Sequence, residues 1–231
     1  MNDFQNSAKE FVDSIKNGYI IGLGTSKRIE DILKLIRQRI LKDKLKVKVV
    51  PASLWAASIA TQYHVPVTKL NDKDLDIVVE FAEEVDTNLN YIKRTTHSLI
   101  RDKMLALCAK KVYVIADKKM DKAKRIVAFE VSTFGIANTL KALSVFGPAH
   151  IRMEGDKPFI TEGSNMIIDV ELSKEDDFDD VEYTSKNIPG VLESGVFMNL
   201  ADKVIFIGRK QAEEFKVKET KGPIPKLKAV R

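Results

Sequence analysis

The sequence predicts an α/β protein: a parallel sheet covered on both faces by helices, with a smaller α+β unit inserted in it. Three observations carry this. Up to residue 116, short β-branched runs alternate with stretches of helical period, the pattern of a parallel sheet between helix layers. After Glu130 that rhythm stops, and alternating strand-like runs take over. At 204–208 the run Val-Ile-Phe-Ile-Gly reads again as a buried strand of the first kind. Residues 131–200 are therefore expected as an inserted unit within a larger domain made of 1–130 and 201–231.

Taken in order, Phe4–Ile15 has an amphipathic helical pattern that Asn17-Gly18 ends. Tyr19–Gly24 is a strand running into a glycine turn, and Thr25 or Ser26 is placed to cap the next helix. That helix shows Ile29, Ile32, Leu33, Ile36 and Ile40, a period of 3.6. Val47–Val50 is a strand stopped by Pro51, and Ser53–Tyr63 is helical. Val65–Leu70 and Leu75–Val79 are further strands; Ser98–Ala109 is a helix and Val112–Ala116 a strand. In the smaller unit, Gly135–Val145 and the acidic Asp176–Lys186 are helices, with strands at Ala149–Met153, Met166–Leu172 and Val191–Phe197.

The chain has 231 residues, 44% hydrophobic and 31% charged, with a net charge of +5. This is enough for one large domain or two small ones with a sizeable core. No apolar run reaches membrane-spanning length, and the start, MNDFQNSAKEF, lacks the apolar segment of a signal peptide. The lone Cys108 cannot form an internal disulfide; beside Met104, Leu105 and Leu107 it reads as a small core residue, which fits a reducing cytoplasm. The lysines are spread along the chain among acids, without recognition-helix or zinc spacing, so nucleic acid is not expected as a partner. Only the tail, Lys216 to Arg231, is markedly basic, and it reads as a solvated or subunit-wrapping arm.

Chemistry concentrates in Ile77–Lys103. A buried strand leads into Glu80, Glu83 and Glu84; then come Lys93, the polar run Arg94-Thr95-Thr96-His97, and a helix starting near Ser98 that carries Asp102. Acids at a strand end, a lysine and a further acid on the next helix are the parts of an acid/base site. The carboxyl end of a buried strand is where open α/β sheets place ligands. Taken alone, these charges fit a solvated strand-end loop equally well. Gly22-x-Gly24 before a helix is either a phosphate cradle or a tight strand-to-helix turn. Lys27 breaks the G-x-G-x-x-G fingerprint, so no nucleotide cofactor is expected, and no His/Cys metal spacing is present. His97 reads as a capping or exposed residue, and Trp55 as a core contact at a helix start, with stacking on a sugar as the alternative.

The segment resembles ribose-5-phosphate isomerase, type A. That family carries D-G-A-D-E after a strand, then I-K-G-G-G, then R-E-K on a helix. The same positions here read Glu80-Phe81-Ala82-Glu83-Glu84, Ile92-Lys93-Arg94-Thr95-Thr96 and Arg101-Asp102-Lys103. Gly22-Leu23-Gly24-Thr25 is similar to the start of a G-x-G-T-G-S-T loop, and Val50-Pro51-Ala52-Ser53 to V-P-T-S. Phe129-Glu130-Val131, Thr161–Asn165, Ile188–Val191 and Gly195-Val196-Phe197 match P-V-E-V, T-D-N-G-N, I-P-G-V and G-L-F in part.

The resemblance implies a Rossmann-like domain with a ferredoxin-like insertion, a homodimer or homotetramer, and a cofactor-free reaction without metal on a sugar phosphate. It implies that ribose 5-phosphate and ribulose 5-phosphate interconvert through an enediolate. Asp102 stands where the family's base moves a proton between C2 and C1, and Lys93 where its lysine stabilises the enediolate. Glu80 and Glu83 stand where its aspartates assist ring opening and hold sugar hydroxyls. Gly24, Thr25, Ser26, Lys27, Arg28, Ser53, Arg94, Thr95 and Thr96 fall on its substrate-binding positions.

Several letters depart from the family. Glu80 and Glu83 are longer than its aspartates and Asp102 is shorter than its glutamate; a misplacement of about 1 Å can cost ~100-fold in rate. Phe81 and Arg94-Thr95-Thr96 replace glycines, at a cost if those positions need positive φ; otherwise Arg94 is a candidate source of charge at the oxyanion. A further family lysine falls on Met120, with Lys118 and Lys119 beside it as substitutes. The alternative function is a non-catalytic sugar-phosphate-binding protein, a sensor or inactive subunit, on the same fold.

Overall fold

In the computed structural model, which describes residues 3–70, 74–120, 125–173 and 176–208, the β-branched runs assemble into a sheet and the apolar helix faces close on it. The basic tail Lys216–Arg231 lies outside the described residues. The chain enters through α1 (Asp3–Asp13), β1 (Ile20–Leu23), α2 (Ile29–Asp43), β2 (Lys48–Pro51) and α3 (Leu54–Gln62). It continues through β3 (Ile77–Val85), β4 (Tyr91–Ile92), α4 (Leu99–Cys108), β5 (Val112–Lys119) and β6 (Ile126–Val131). Next come α5 (Ile136–Leu143), β7 (Ala149–Ile151), β8 (Met153–Glu154), β9 (Lys157–Pro158) and β10 (Met166–Glu171). The last elements are α6 (Phe178–Ser185), β11 (Val191–Ser194), β12 (Val196–Phe197) and β13 (Lys203–Phe206).

Parallel pairing runs β2-β1-β3-β5-β13. From β1 the chain moves outward to β2 and then returns to β3 on the other side. That reversal opens a crevice at the carboxyl ends of β1 and β3, the usual ligand position in such sheets. β4 pairs antiparallel with Glu84 and Val85 of β3, and β12 with β4. Since β5 occupies the opposite edge of β3 along its length, β4 lies beyond the end of β1. The second sheet is antiparallel, in the order β11-β6-β10-β7.

Two apolar layers sandwich the first sheet. Phe11 of α1 and Ile29, Ile32, Leu33 and Ile36 of α2 fill one; Leu99, Leu105 and Ala106 of α4 fill the other. Val127, Phe129, Ile168 and Val170 form the core of the second sheet with Leu143 and Val181. Each fully buried Ile, Leu or Val contributes about 1.5–3 kcal/mol of transfer free energy.

Several expectations change. β3 does not stop at Val79 but runs to Val85, because Glu80 and Glu84 meet cations instead of ending the strand in solvent. Val65–Leu70 contributes one bridge, Val67 to Val49; Pro66 has no N–H, and only its carbonyl joins, accepting from Val49 N–H. β6 has no counterpart among the expected strands: buried at five of six positions, it shows no alternation to read. Residues 191–197 divide between the two sheets at Gly195. α2 starts at Ile29, with Arg28 at its cap position and no side-chain cap; neither Thr25 nor Ser26 fills that role. Ser26 Oγ instead accepts from Arg28 N–H at 3.1 Å. Trp55 is 50% exposed rather than a core contact, and Met104 and Leu107 also face outward, leaving Cys108 half-buried at the edge of the core.

Candidate active site

Glu80 of β3, Lys93 just after β4 and Asp102 of α4 meet in one buried layer between the sheet and α4. Lys93 Nζ lies 2.5 Å from Glu80 Oε2 and 2.8 Å from Asp102 Oδ2, and all three side chains are essentially inaccessible. Two glycines make this possible. A Cβ on Gly24 would overlap the Glu80 carboxylate, and one on Gly195 would overlap the Lys93 carbonyl. Gly195 accepts from Lys93 N–H at 2.8 Å through its carbonyl and donates to the Ala128 carbonyl at 2.7 Å. Close backbone approach of this kind admits only glycine.

Asp102 is held on both oxygens. Oδ1 accepts from Thr25 N–H at 2.8 Å, and Oδ2 accepts from the Thr96 hydroxyl at 2.6 Å. Thr96 Oγ1 also accepts from Ser98 N–H, and Ser98 caps α4 by accepting from Arg101 N–H. Asp102 thus sits in the first turn of α4, where the helix dipole favours a carboxylate.

One ammonium between two carboxylates would leave an unbalanced negative charge in a dry site. Burial, helped by the charge of Asp102, outweighs the pull of Lys93 and lifts the Glu80 carboxyl to about 8. Glu80 therefore holds a proton at neutral pH. Burial opposes the Lys93 ammonium, but Asp102 and Glu80 overcome it and raise its pKa above the ordinary value. The neutral-pH cluster is then an acid, an ammonium and a carboxylate, with no net charge.

A cavity of about 230 Å³ opens beside this cluster at the carboxyl ends of the parallel strands. Lys27, Arg28, Glu83 and Asp117 line it, with Phe4 and Phe81 as an aromatic wall. The two rings stack at 6.3 Å, and the Arg28 guanidinium lies 5.1 Å over Phe4. Thr25, Ser26 and Thr95 complete the polar lining. The buried Thr25 Oγ1 has no hydrogen-bond partner among the described residues.

Of the residues singled out in the sequence, Glu80, Lys93 and Asp102 come together, with Gly24, Thr25 and Thr96 directly against them. Ser26, Lys27, Arg28 and Thr95 face the cavity. Glu83 lines the cavity but stands apart from the cluster: its two oxygens accept from Arg94 N–H and Thr95 N–H, each at 2.7 Å. Arg94 turns away, donating to Glu84 and to the Ile126 carbonyl at 3.1 Å, so it brings no charge to an oxyanion in this conformation. Ser53 caps α3 and accepts from Ala56 N–H, away from the cavity lining. Lys118 faces Glu84 at 3.5 Å. Positions 81 and 94–96, where the family has glycine, carry no positive φ, so their side chains impose no backbone strain. His97 is exposed, as expected. Sequence reasoning placed Gly195 in the G-L-F match but missed it as the backbone partner of Lys93; a glycine within a strand-like run was the local signal of a close backbone approach.

The profile of the family ribose 5-phosphate isomerase A (phosphoriboisomerase A) matches residues 48–211. The chain is 34% identical over 209 residues to ribose-5-phosphate isomerase A 2 of Oceanobacillus iheyensis, covering 88% of this chain and 93% of that one. It superposes on the structure of ribose 5-phosphate isomerase A from Methanocaldococcus jannaschii with a TM-score of 0.83, at 32% identity over 91% of this chain and 96% of the other. A D-ribose-5-phosphate isomerase solved in complex with phospho-erythronic acid gives 0.85, at 32% identity, over 92% and 98% of the two chains. With this coverage, the order of the motifs and the parallel sheet built around them, the chain belongs to the ribose 5-phosphate isomerase A family.

Proposed function

We propose that this chain interconverts ribose 5-phosphate and ribulose 5-phosphate through an enediolate. The observation that carries the reading is the buried Glu80–Lys93–Asp102 cluster beside a cavity flanked by Lys27 and Arg28. Those two cations and the Thr25 N–H suit a phosphate, and Thr25, which lines the cavity, is what separates it from Asp102. Glu80, which holds a proton, supplies it to the ring oxygen as the bond from C1 to that oxygen breaks. It takes up the O1 hydroxyl proton as the C1=O1 double bond forms, so the sugar opens without net loss or gain of a proton. Asp102 takes the proton from C2 and returns it to C1, while the hydroxyl proton passes from O2 to O1. Lys93 stabilises the negative charge that develops on the oxygens between those steps. Among the described residues, no group of three or more His, Cys, Asp or Glu is placed to hold a metal ion.

Asp102 is fully covered, so the sugar reaches it when the Thr25 segment yields. A phosphate that draws in the Thr25 N–H takes it from Asp102 Oδ1 and uncovers the base. The same covering favours a second reading, a sugar-phosphate-binding protein without turnover, since the base is both shorter than the family's glutamate and sealed. Incubation with ribose 5-phosphate in heavy water separates the two. Formation of ribulose 5-phosphate with deuterium entering at C2 of the recovered aldose supports the isomerase; saturable binding without exchange supports the sensor.

The remaining proposals concern organisation. Residues 131–200 are read as an insertion, supported by β13 pairing with β5 after the antiparallel sheet, although that sheet already takes in β6 from before residue 131 and β12 within the segment pairs in the first sheet. The protein is a cytoplasmic homodimer or homotetramer, a reading supported by family membership. No described helix is long and apolar enough to cross a membrane.

A further inference from the structure

A further buried carboxylate, Glu130 of β6, takes no part in the chemistry above. It is wholly inaccessible, and no cation faces it in an ion pair among the described residues. Four donors converge on it instead. The Ser98 hydroxyl approaches at 3.1 Å and Ile100 N–H at 3.1 Å, both from the start of α4. The Thr161 hydroxyl at 2.8 Å and Asn165 Nδ2 at 3.0 Å come from the turn before β10. A carboxylate has about four acceptor positions, and Glu130 uses them all.

The geometry has a direction. Ser98 is the cap of α4, Ile100 donates one of the first-turn N–H groups that a helix leaves unsatisfied, and Asp102 lies two residues further along the same turn. The Asp102 N–H itself bonds the Ser98 carbonyl at 3.2 Å. The second sheet thereby grips the turn that carries the proposed base. We infer that Glu130 is a positioning residue: it sets where Asp102 stands relative to Lys93 and the cavity by fixing the first turn of α4 to the second sheet. The inference rests on the reading of Asp102 as the base. It is independent of the phosphate grip, because the Thr25–Arg28 segment makes no hydrogen bond with Glu130 or its four donors among those described.

Glu130→Gln tests this. The amide keeps the shape but replaces one acceptor oxygen with an NH2 that faces donors. With the fold confirmed by circular dichroism and assays run well below the melting temperature, kcat should fall ~10-fold or more. KM for ribose 5-phosphate should stay within ~3-fold, because uniform binding is untouched. Amide hydrogen exchange at residues 99–103 should rise ~10-fold or more, with no comparable rise at 105–108. Thr161→Val, which removes one donor on the second-sheet side, should move the same quantities in the same directions by less, and it serves if Glu130→Gln does not fold. A folded variant with unchanged kcat and unchanged exchange at 99–103 overturns the inference, as does a rise in KM that accounts for the whole loss. If the wild type shows no turnover, the isomerase reading falls, and the anchoring stands or falls on hydrogen exchange alone.

Discussion

Two loops face each other across the site, and they are built on opposite plans. Residues 94–96 are clamped: Glu83 takes the N–H groups of Arg94 and Thr95, Arg94 reaches back to Glu84, and Thr96 bonds Asp102. Residues 25–28 are lightly held: Thr25 N–H bonds Asp102, Ser26 accepts from Arg28 N–H, and Arg28 meets Asp117 only at 3.8 Å while its N-cap position lacks a side-chain cap. The clamped loop keeps Lys93 and Asp102 at fixed distances, as an acid/base site requires. The lightly held loop presents two cations to the cavity and can yield to a ligand. Preorganisation and grip are thus assigned to different segments, and substitutions should separate kcat from KM accordingly.

The largest effect is expected at the point both loops touch. Asp102→Asn should lower kcat by ~100-fold or more while sugar-phosphate binding persists. Retention of turnover in that variant would remove Asp102 as the base. Next comes the clamp itself: Glu83→Gln leaves the amide NH2 facing one of the two N–H donors, and we expect kcat to drop by ~10-fold with KM changed less. A variant in which KM alone changes would place Glu83 on the substrate instead. On the open loop, Lys27→Ala should raise KM by ~3–10-fold with kcat nearly unchanged, as for loss of one charge-assisted contact. Equal losses in both constants would show that the two loops are not separable.

A smaller, pH-dependent effect follows from Glu80. In the folded protein its carboxyl is raised to about 8 from an ordinary 4.5, so the folded state holds a proton that the unfolded chain has released. Its contribution to stability is therefore fully present below pH 4.5 and is lost as pH rises towards 8. Glu80→Gln should remove that slope, so the melting temperature of the variant should gain on the wild type as pH goes from about 5 to 8. A constant difference across this range would mean that Glu80 is ionised throughout.

Fold and site were legible to different depths. The helix period at Ile29–Ile36 and the β-branched runs at Ile20, Val49, Val78 and Val112 show directly where apolar faces must be buried, so the parallel sheet could be read from them. The register match carried Glu80, Lys93 and Asp102 into one site. What could not be read is what depends on partners distant in sequence. β3 continues through three glutamates because Lys93, Arg94 and two backbone N–H groups await them, and no local pattern announces that. Arg94 looked like a cation for the substrate; its actual partners, Glu84 and the Ile126 carbonyl, lie 10 and 32 residues away. Glu130 looked like part of a motif, and its role as an acceptor for four groups depends on two donors 32 and 30 residues earlier and two more 31 and 35 residues later.

The hydrogen bond from Lys93 N–H to the Gly195 carbonyl has a consequence for the order in which the molecule can be made. It joins residues 102 positions apart in the sequence. During synthesis the first sheet's central strands and α4 can come together once residue 119 has emerged, yet Lys93 then has no backbone partner on that side. Ala128, the other end of the same bridge, emerges nine residues later and then waits for Gly195 as well. The reactive centre can close only after the second sheet has been threaded past and the chain has returned at Gly195. Contacts of such long sequence separation form slowly, and chains assembled domain by domain complete them last. A nascent chain truncated before residue 195 would carry Glu80, Lys93 and Asp102 without the bridge that seats Lys93, so competence is conferred by one of the final folding events.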